Sequence, residues 1–351
     1  MWKTTINKLT LATGITVIGL LNPDPSNAFA IETPISGTLF GGMRWDAAPR
    51  MIGANERSLD GGLRYSLQGG SFQAYRDLFT WNVLPTVAEF QSTVEDAFNA
   101  WTVVDPVSGL GTSLSFVADL ATPVIGTGMG DVNPNGAEID LLAATDAVFW
   151  DSGDTEPQGE AFTDIIDSRV TLTSGTANYY ASEAISGADV TINNNPGAIY
   201  NLNLFRRLLT HEIGHAIGLQ DVEGEINPNA FIDDNYNGAN SATALATLTN
   251  PIAHLINPLN PAASPLSVFT VSATDPGLHT PGVGILMQSL TLGLQSESNP
   301  ITNLTPLTND DYAGRQFLYP QAVSEPTSTF SFLLLGTLGA GSVLKRKLKL
   351  S

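Results

Sequence analysis

The run His211-Glu212-Ile213-Gly214-His215-Ala216-Ile217-Gly218-Leu219-Gln220-Asp221 concentrates the chemistry of this chain. Residues four apart share one face of an α-helix, so His211 and His215 can present imidazole nitrogens to a single ion. Glu212 lies about 100° further round the same helix. There it borders the ion without binding it, which suits a carboxylate that takes a proton from a water the metal acidifies. Gly218 is where the helix is expected to stop, because glycine enters the left-handed conformation that turns the backbone away. Asp221 follows three residues later as a third ligand, and three protein ligands with one open position define a catalytic zinc. Two of the four histidines therefore belong to this site. The others, His254 and His279, lie in Pro- and Gly-punctuated sequence and read as structural or solvated.

The run resembles the HExxHxxGxx(H/D) signature of the metzincin zinc peptidases, whose second mark is a methionine turn beneath the metal. Gly282-Val283-Gly284-Ile285-Leu286-Met287-Gln288-Ser289 resembles that turn, with Met287 as its methionine. Within the metzincins the similarity is closest to the matrixin-like peptidases and covers about residues 60–320. Val87 to Trp101 carries apolar residues at helical spacing and is similar to the family's first long helix. Leu114 to Ala118 and Ala188 to Ile192 alternate like its strands, and 307–319 is similar to the opening of its C-terminal helix. Thr308 reads as the N-cap of that last helix, with Asp311 completing a capping-box-like pair.

Three features depart from the family pattern. Asp221 stands where most matrixins have histidine, and there is no cysteine to support cysteine-based latency. A connection of 65 residues, 222–286, separates Asp221 from Met287. Loops longer than about 12–15 residues are usually functional or disordered. The resemblance implies a zinc metalloendopeptidase acting on protein or peptide substrates. Met287 would form an apolar floor, and Ser289 occupies the place where some metzincins carry a tyrosine ligand.

Oxygen-rich stretches raise a second metal. Asp233, Asn235 and Asn237 match the first half of a calcium loop, D-x-[DN]-x-[DN]-G, and Asp131, Asn133 and Asn135 repeat the pattern. Position 12 holds Ala244 in one and Leu142 in the other, so neither is an EF-hand. Each is read as a candidate calcium site, with a pair of Asx-type turns as the alternative. Asp151 to Asp154 reads as a solvated loop.

The ends of the chain read as addresses. Lys3 and Lys8, the apolar run Leu9 to Leu21 and Ala28-Phe29-Ala30 form the parts of a secretory signal peptide spanning 1–30. At the other end, 321–351, Glu325-Pro326 precedes an apolar run at 327–344 and the basic residues Lys345, Arg346, Lys347 and Lys349. That run has the minimum length for a membrane span, and its basic end would face the cytoplasm. The order resembles the PEP-CTERM sorting signal of Gram-negative bacteria, including cyanobacteria, with Val323-Ser324 as a departure ahead of Glu325. The resemblance implies a temporary membrane anchor handled by export and sorting machinery. A plain C-terminal anchor is the alternative.

Charge agrees with work outside the cytoplasm. Between residues 31 and 324 there are nine basic residues, all arginine, against 32 acidic ones, a net charge near −23. Such a balance disfavours nucleic acid and favours divalent cations. Without cysteine, stability must come from the core and from bound metal. An irregular segment is expected at 31–60, and a catalytic domain at 61–320. The expected fold is α+β: a first strand at Gly61 to Leu67, and a twisted mixed sheet backed by the 87–101 helix and by an active-site helix from Leu202 to Ile217. A smaller C-terminal subdomain would hold the long loop, Met287 and the last helix. A second reading is a calcium-dependent surface or biofilm-matrix protein with a structural or vestigial metal site.

Overall fold

The computed structural model describes residues 29–30, 42–104, 109, 111–126, 128–166, 169–173, 175, 182–221, 231–232, 286–287, 307 and 309–321. The calcium-like stretch with Asp233, Asn235 and Asn237, both lone histidines and the C-terminal apolar run lie outside them, as does the signal segment apart from its last two residues. Among the described residues no helix is long and apolar enough to cross a membrane.

In chain order the elements begin with β1 (Phe29–Ala30), β2 (Met43–Arg44), β3 (Met51–Ile52), β4 (Asn55–Glu56), β5 (Leu63–Leu67), α1 (Phe72–Arg76), β6 (Thr80–Trp81) and α2 (Val87–Ala100). They continue with β7 (Phe116–Ala118), β8 (Ile139–Ala144), β9 (Gly159–Ile166), β10 (Glu183–Asn193), β11 (Ile199–Tyr200), α3 (Leu202–Ala216), β12 (Phe231–Ile232) and α4 (Asn309–Leu318). The main sheet has six strands in the order β7-β5-β8-β10-β2, with β9 also paired to β10. Its pairings are parallel except at β9, which runs antiparallel along β10. The architecture is mixed α/β with a mostly parallel sheet and few helices, compatible with an α+β class.

β10 carries the sheet. It pairs with β8 on one side and β9 on the other, and ten of its eleven residues are buried. Alternation sends Ala188, Val190 and Ile192 to one face, where Ile139, Leu141 and Ala143 of β8 join them in the hydrophobic core. α2 and α3 cover that face with Phe90, Val94, Phe98, Trp101, Phe205, Leu209 and Ile213.

Both helices start where local chemistry says they should. Thr86 caps α2 in a reciprocal box: its hydroxyl accepts from the Glu89 N–H at 3.2 Å, and the Glu89 carboxylate accepts from the Thr86 N–H at 2.8 Å. Asn201 caps α3 by accepting from the Leu204 N–H at 2.9 Å.

Residues 42–60, expected to be irregular, contribute to the core. β2 pairs in parallel with the start of β10, and Trp45 is 1% exposed. Leu63–Leu67 is consequently not the first strand. Tertiary contacts decide this: the Arg44 guanidinium donates to the Phe317 and Leu318 carbonyls at 3.3 and 3.2 Å, and the Trp45 indole N–H donates to the Ala216 carbonyl at 3.0 Å.

Candidate metal centre

α3 ends as its glycine requires. Gly218 has φ +96°, its N–H donates to the His215 carbonyl at 2.8 Å, and the Leu219 N–H donates to the Gly214 carbonyl at 2.9 Å. This pair of bonds is a Schellman motif. A side chain at Gly218 would collide with the Met43 carbonyl. The Ala216 and Ile217 carbonyls are capped by the Trp45 indole and by the Tyr319 hydroxyl, the latter at 2.7 Å. The helix therefore stops abruptly, and the chain turns back to bring Asp221 beside the two histidines.

Three donor atoms converge there. His211 Nε2 and His215 Nε2 lie 3.1 Å apart, and Asp221 Oδ1 is 3.3 Å from the first and 3.5 Å from the second. Both rings have a fixed tautomer, because each Nδ1 faces a carbonyl, which can only accept. His211 Nδ1–H donates to Leu286 at 2.7 Å and His215 Nδ1–H donates to Leu219 at 2.9 Å. Both Nε2 lone pairs consequently point at each other and at a carboxylate oxygen. Such a triangle is repulsive unless positive charge sits within it.

Zinc fits the triangle in size and chemistry. A tetrahedral ion with bonds of about 2.0–2.1 Å places neighbouring ligand atoms roughly 3.3–3.4 Å apart, a value bracketed by the three observed edges. Electrostatics couple the three groups. Burial lowers the His215 pKa, but the Asp221 charge and hydrogen bond raise it more, to about 10. His211 moves up for the same reasons, and the two histidines hold Asp221 well below the usual carboxylate range against the effect of burial. Protons alone cannot satisfy both rings, since a 3.1 Å gap between the Nε2 atoms has room for one proton and not two. A divalent cation would satisfy all three atoms together.

Glu212 stands beside the triangle, 3% exposed, with Oε2 lacking a hydrogen-bond partner. Burial pushes its carboxyl up, and the two histidines offset part of that rise. The side chain lies over Gly159 at the start of β9, where a Cβ would come within 2.6 Å of Glu212 Oε1. Only glycine lets the helix carry a carboxylate this close to the edge strand. Met287, 3% exposed, packs against the same helix at Gly214, where a Cβ would meet Met287 Cε and Trp101 Cζ2, each at 2.9 Å.

Two participants escaped the sequence reading. Asp311, expected to help cap α4, has its carboxylate against the methionine turn, accepting from the Leu286 and Met287 N–H groups at 3.2 Å each. The Leu286 carbonyl in turn orients His211, so a residue one hundred positions further along the chain than His211 steadies its ring. Glu160, 2% exposed on β9, accepts from the Val148 and Phe149 N–H groups at 3.4 and 3.1 Å. Burial, offset by those bonds and reinforced by the Glu212 charge, pushes it up to about 7. The only advance signal for Asp311 was its place at the start of a helix, and for Glu160 there was none.

The described calcium-like stretch folds on itself. Asn133 Oδ1 accepts from the Asn135 N–H at 3.1 Å and from its side-chain amide at 2.7 Å, so these two residues form an Asx turn. Asp151 and Asp154 likewise close a small exposed turn, with the Asp151 N–H donating to Asp154 at 3.1 Å. Among the described residues, the one group of three or more histidine or carboxylate side chains close enough to share an ion is His211, His215 and Asp221. No family model and no curated protein matches the chain.

Proposed function

We propose that the chain is a zinc metalloendopeptidase of the metzincin type, matrixin-like in its order of elements. The observation that carries this reading is the triangle of His211 Nε2, His215 Nε2 and Asp221 Oδ1, with a buried, incompletely partnered Glu212 at its side. A purely structural zinc site has no use for a base next to an open position.

When bound, zinc would supply Lewis acidity toward a water and a peptide carbonyl. His211, His215 and Asp221 would hold it, and the Leu286 and Leu219 carbonyls keep both imidazoles in the tautomer that binds metal. Glu212 would accept the water's proton on its carboxylate and pass it to the departing amine. Its burial favours the neutral acid and so brings its pKa toward the working range of a proton carrier. Met287, packed closely on Gly214, would keep water from beneath the site. Support for the metzincin assignment comes from the motif, from a methionine turn seated under its helix, and from an antiparallel edge strand bordering Glu212.

Export through a cleaved signal peptide and sorting through the C-terminal segment belong to the same proposal and rest on sequence alone. The test is casein or peptide cleavage by purified protein, compared with Glu212→Ala and with chelator-treated samples. Cleavage that disappears in both is expected. Wild-type protein that holds zinc yet cleaves nothing beyond the Glu212→Ala background would end the enzyme reading.

A further inference from the structure

β9 is the rim of the sheet beside the metal centre. Among the described residues it pairs with β10 alone, which leaves the N–H and C=O groups of its other edge for an added strand. Gly159, its first residue, is the one that lies against Glu212. An extended chain laid along this edge therefore passes Glu212, whose Oε2 is unpartnered although the residue is 3% exposed.

The charges along that path have one sign. Asp151, Asp154 and Glu156 precede β9, and Asp164 lies within it. No lysine or arginine occurs between Arg76 and Arg169. Glu156 stands three positions before Gly159, so the chain itself keeps the two within about 11 Å, at roughly 3.3–3.6 Å per residue. The loop that carries these acids is held from the protein side. Asn193, fully buried, donates its side-chain amide to the Asp154 and Glu156 carbonyls at 3.2 and 3.0 Å, and Asn195 donates to the Ser152 carbonyl at 2.6 Å. Asp151 and Glu156 remain exposed. None of Asp151, Asp154, Glu156 and Asp164 forms an ion pair with a described residue, because the arginines are engaged elsewhere: Arg50 on Asp46, Arg57 on Glu138, Arg64 on Glu138 and Asp119, and Arg76 on Asp77.

We infer that this edge selects cationic substrates: extended peptides that carry lysine or arginine close to the bond to be cut, on the side lying over 151–156. The inference rests on the peptidase reading and adds the substrate class to it. Main-chain hydrogen bonds to β9 would hold any extended peptide, and the acidic rim would sort such peptides by charge. A rim that no basic residue compensates raises the local concentration of a positive peptide and repels a negative one. The charges are exposed, so the selection weakens as salt shortens their reach.

The test uses zinc-loaded full-length protein and three fluorescent peptides that share one apolar centre and carry lysine, glutamine or glutamate on its flanks. Binding is read by anisotropy on the Glu212→Gln protein, and kcat/KM on wild type. At low ionic strength the lysine peptide should exceed the glutamate peptide by at least about tenfold in both, and the gap should shrink several-fold in concentrated sodium chloride. The double variant Asp151→Asn, Glu156→Gln should cut the lysine-to-glutamate ratio at least about threefold. The double variant Asp60→Asn, Asp96→Asn removes the same charge from exposed positions outside β9 and its loop, and should keep the wild-type ratio. Peptides bound without regard to charge, or not bound at all, would overturn the inference, as would a ratio that falls equally in both double variants. Cleavage that ignores charge would overturn it and leave the peptidase reading standing. A lysine preference in binding with no cleavage of any peptide would do the reverse, ending the peptidase reading and keeping the acidic rim.

Discussion

The N-terminal half of α3 is held by rings and its C-terminal half by polar atoms. Phe205 meets Phe79, Phe90, Trp81 and Tyr200 with ring centroids 5.1 to 5.7 Å apart, and Leu208 and Leu209 complete an apolar seam. Two turns later the same helix buries His211 and Glu212, groups that cost free energy to desolvate. The difference teaches how a functional end is tolerated. Packing of the aromatic half fixes the helix, so the other half can hold two imidazoles and a carboxylate in close approach.

The predictions probe that division of labour, beginning with the largest effect. His211→Ala should lower zinc affinity by more than about 100-fold while leaving the metal-free protein as stable as wild type or more so, because a buried polar group is removed. Equilibrium dialysis and urea melts measure both quantities. A large loss of metal-free stability would show that the polar half also supports the fold. Phe205→Ala should do the reverse, costing about 3–5 kcal/mol of stability. Zinc affinity should stay within a few-fold wherever the variant is folded. If affinity falls in step with stability, the two halves are not separable.

Asp311→Asn sharpens the comparison, since it tests whether the polar half is oriented from outside the helix. It should weaken zinc binding by about 10–100-fold with a smaller change in melting. Unchanged affinity would reduce the Asp311, Leu286, His211 chain to packing.

Glu160 gives a pH test. Its folded pKa, about 7, lies above the unfolded carboxylate value, so its neutral form contributes stability that is complete below about pH 4 and is lost as pH rises through 7. Wild type should therefore lose about 1–2 kcal/mol more than Glu160→Gln between pH 4.5 and pH 8, after allowance for solvent screening. Equal losses would remove Glu160 from the account. Asn201→Ala, at the cap of the aromatic half, should cost about 1 kcal/mol, read from urea midpoints, and should leave zinc affinity unchanged.

Much of this was legible in the chain because local rules decide it. Helical spacing placed α2 to within one residue, and the helix expected from Leu202 to Ile217 is α3 to within one residue. His211, His215 and Asp221 meet as their spacing predicts, because the Gly218 turn is a local event. The strand expected at Leu114 to Ala118 begins only at Phe116, where pairing with Leu63 starts. Less legible were features made by contacts across hundreds of residues. β2 is too short to announce itself and becomes a strand by pairing with β10 and anchoring to the end of α4. The role of Asp311 depends on which turn folds against it. Asp140 and Asp189 alternate with apolar neighbours as solvent-facing residues would, and only the glycine loop above them makes that face an interior.

Zinc content and peptide cleavage, measured on the same preparations of wild type and Glu212→Gln, test the central claim most directly. The account predicts one equivalent of zinc in both proteins, removable by chelator, with cleavage confined to wild type and reduced in the variant by at least about 100-fold. Equal cleavage by both, or a wild type with no bound zinc at neutral pH, would contradict it.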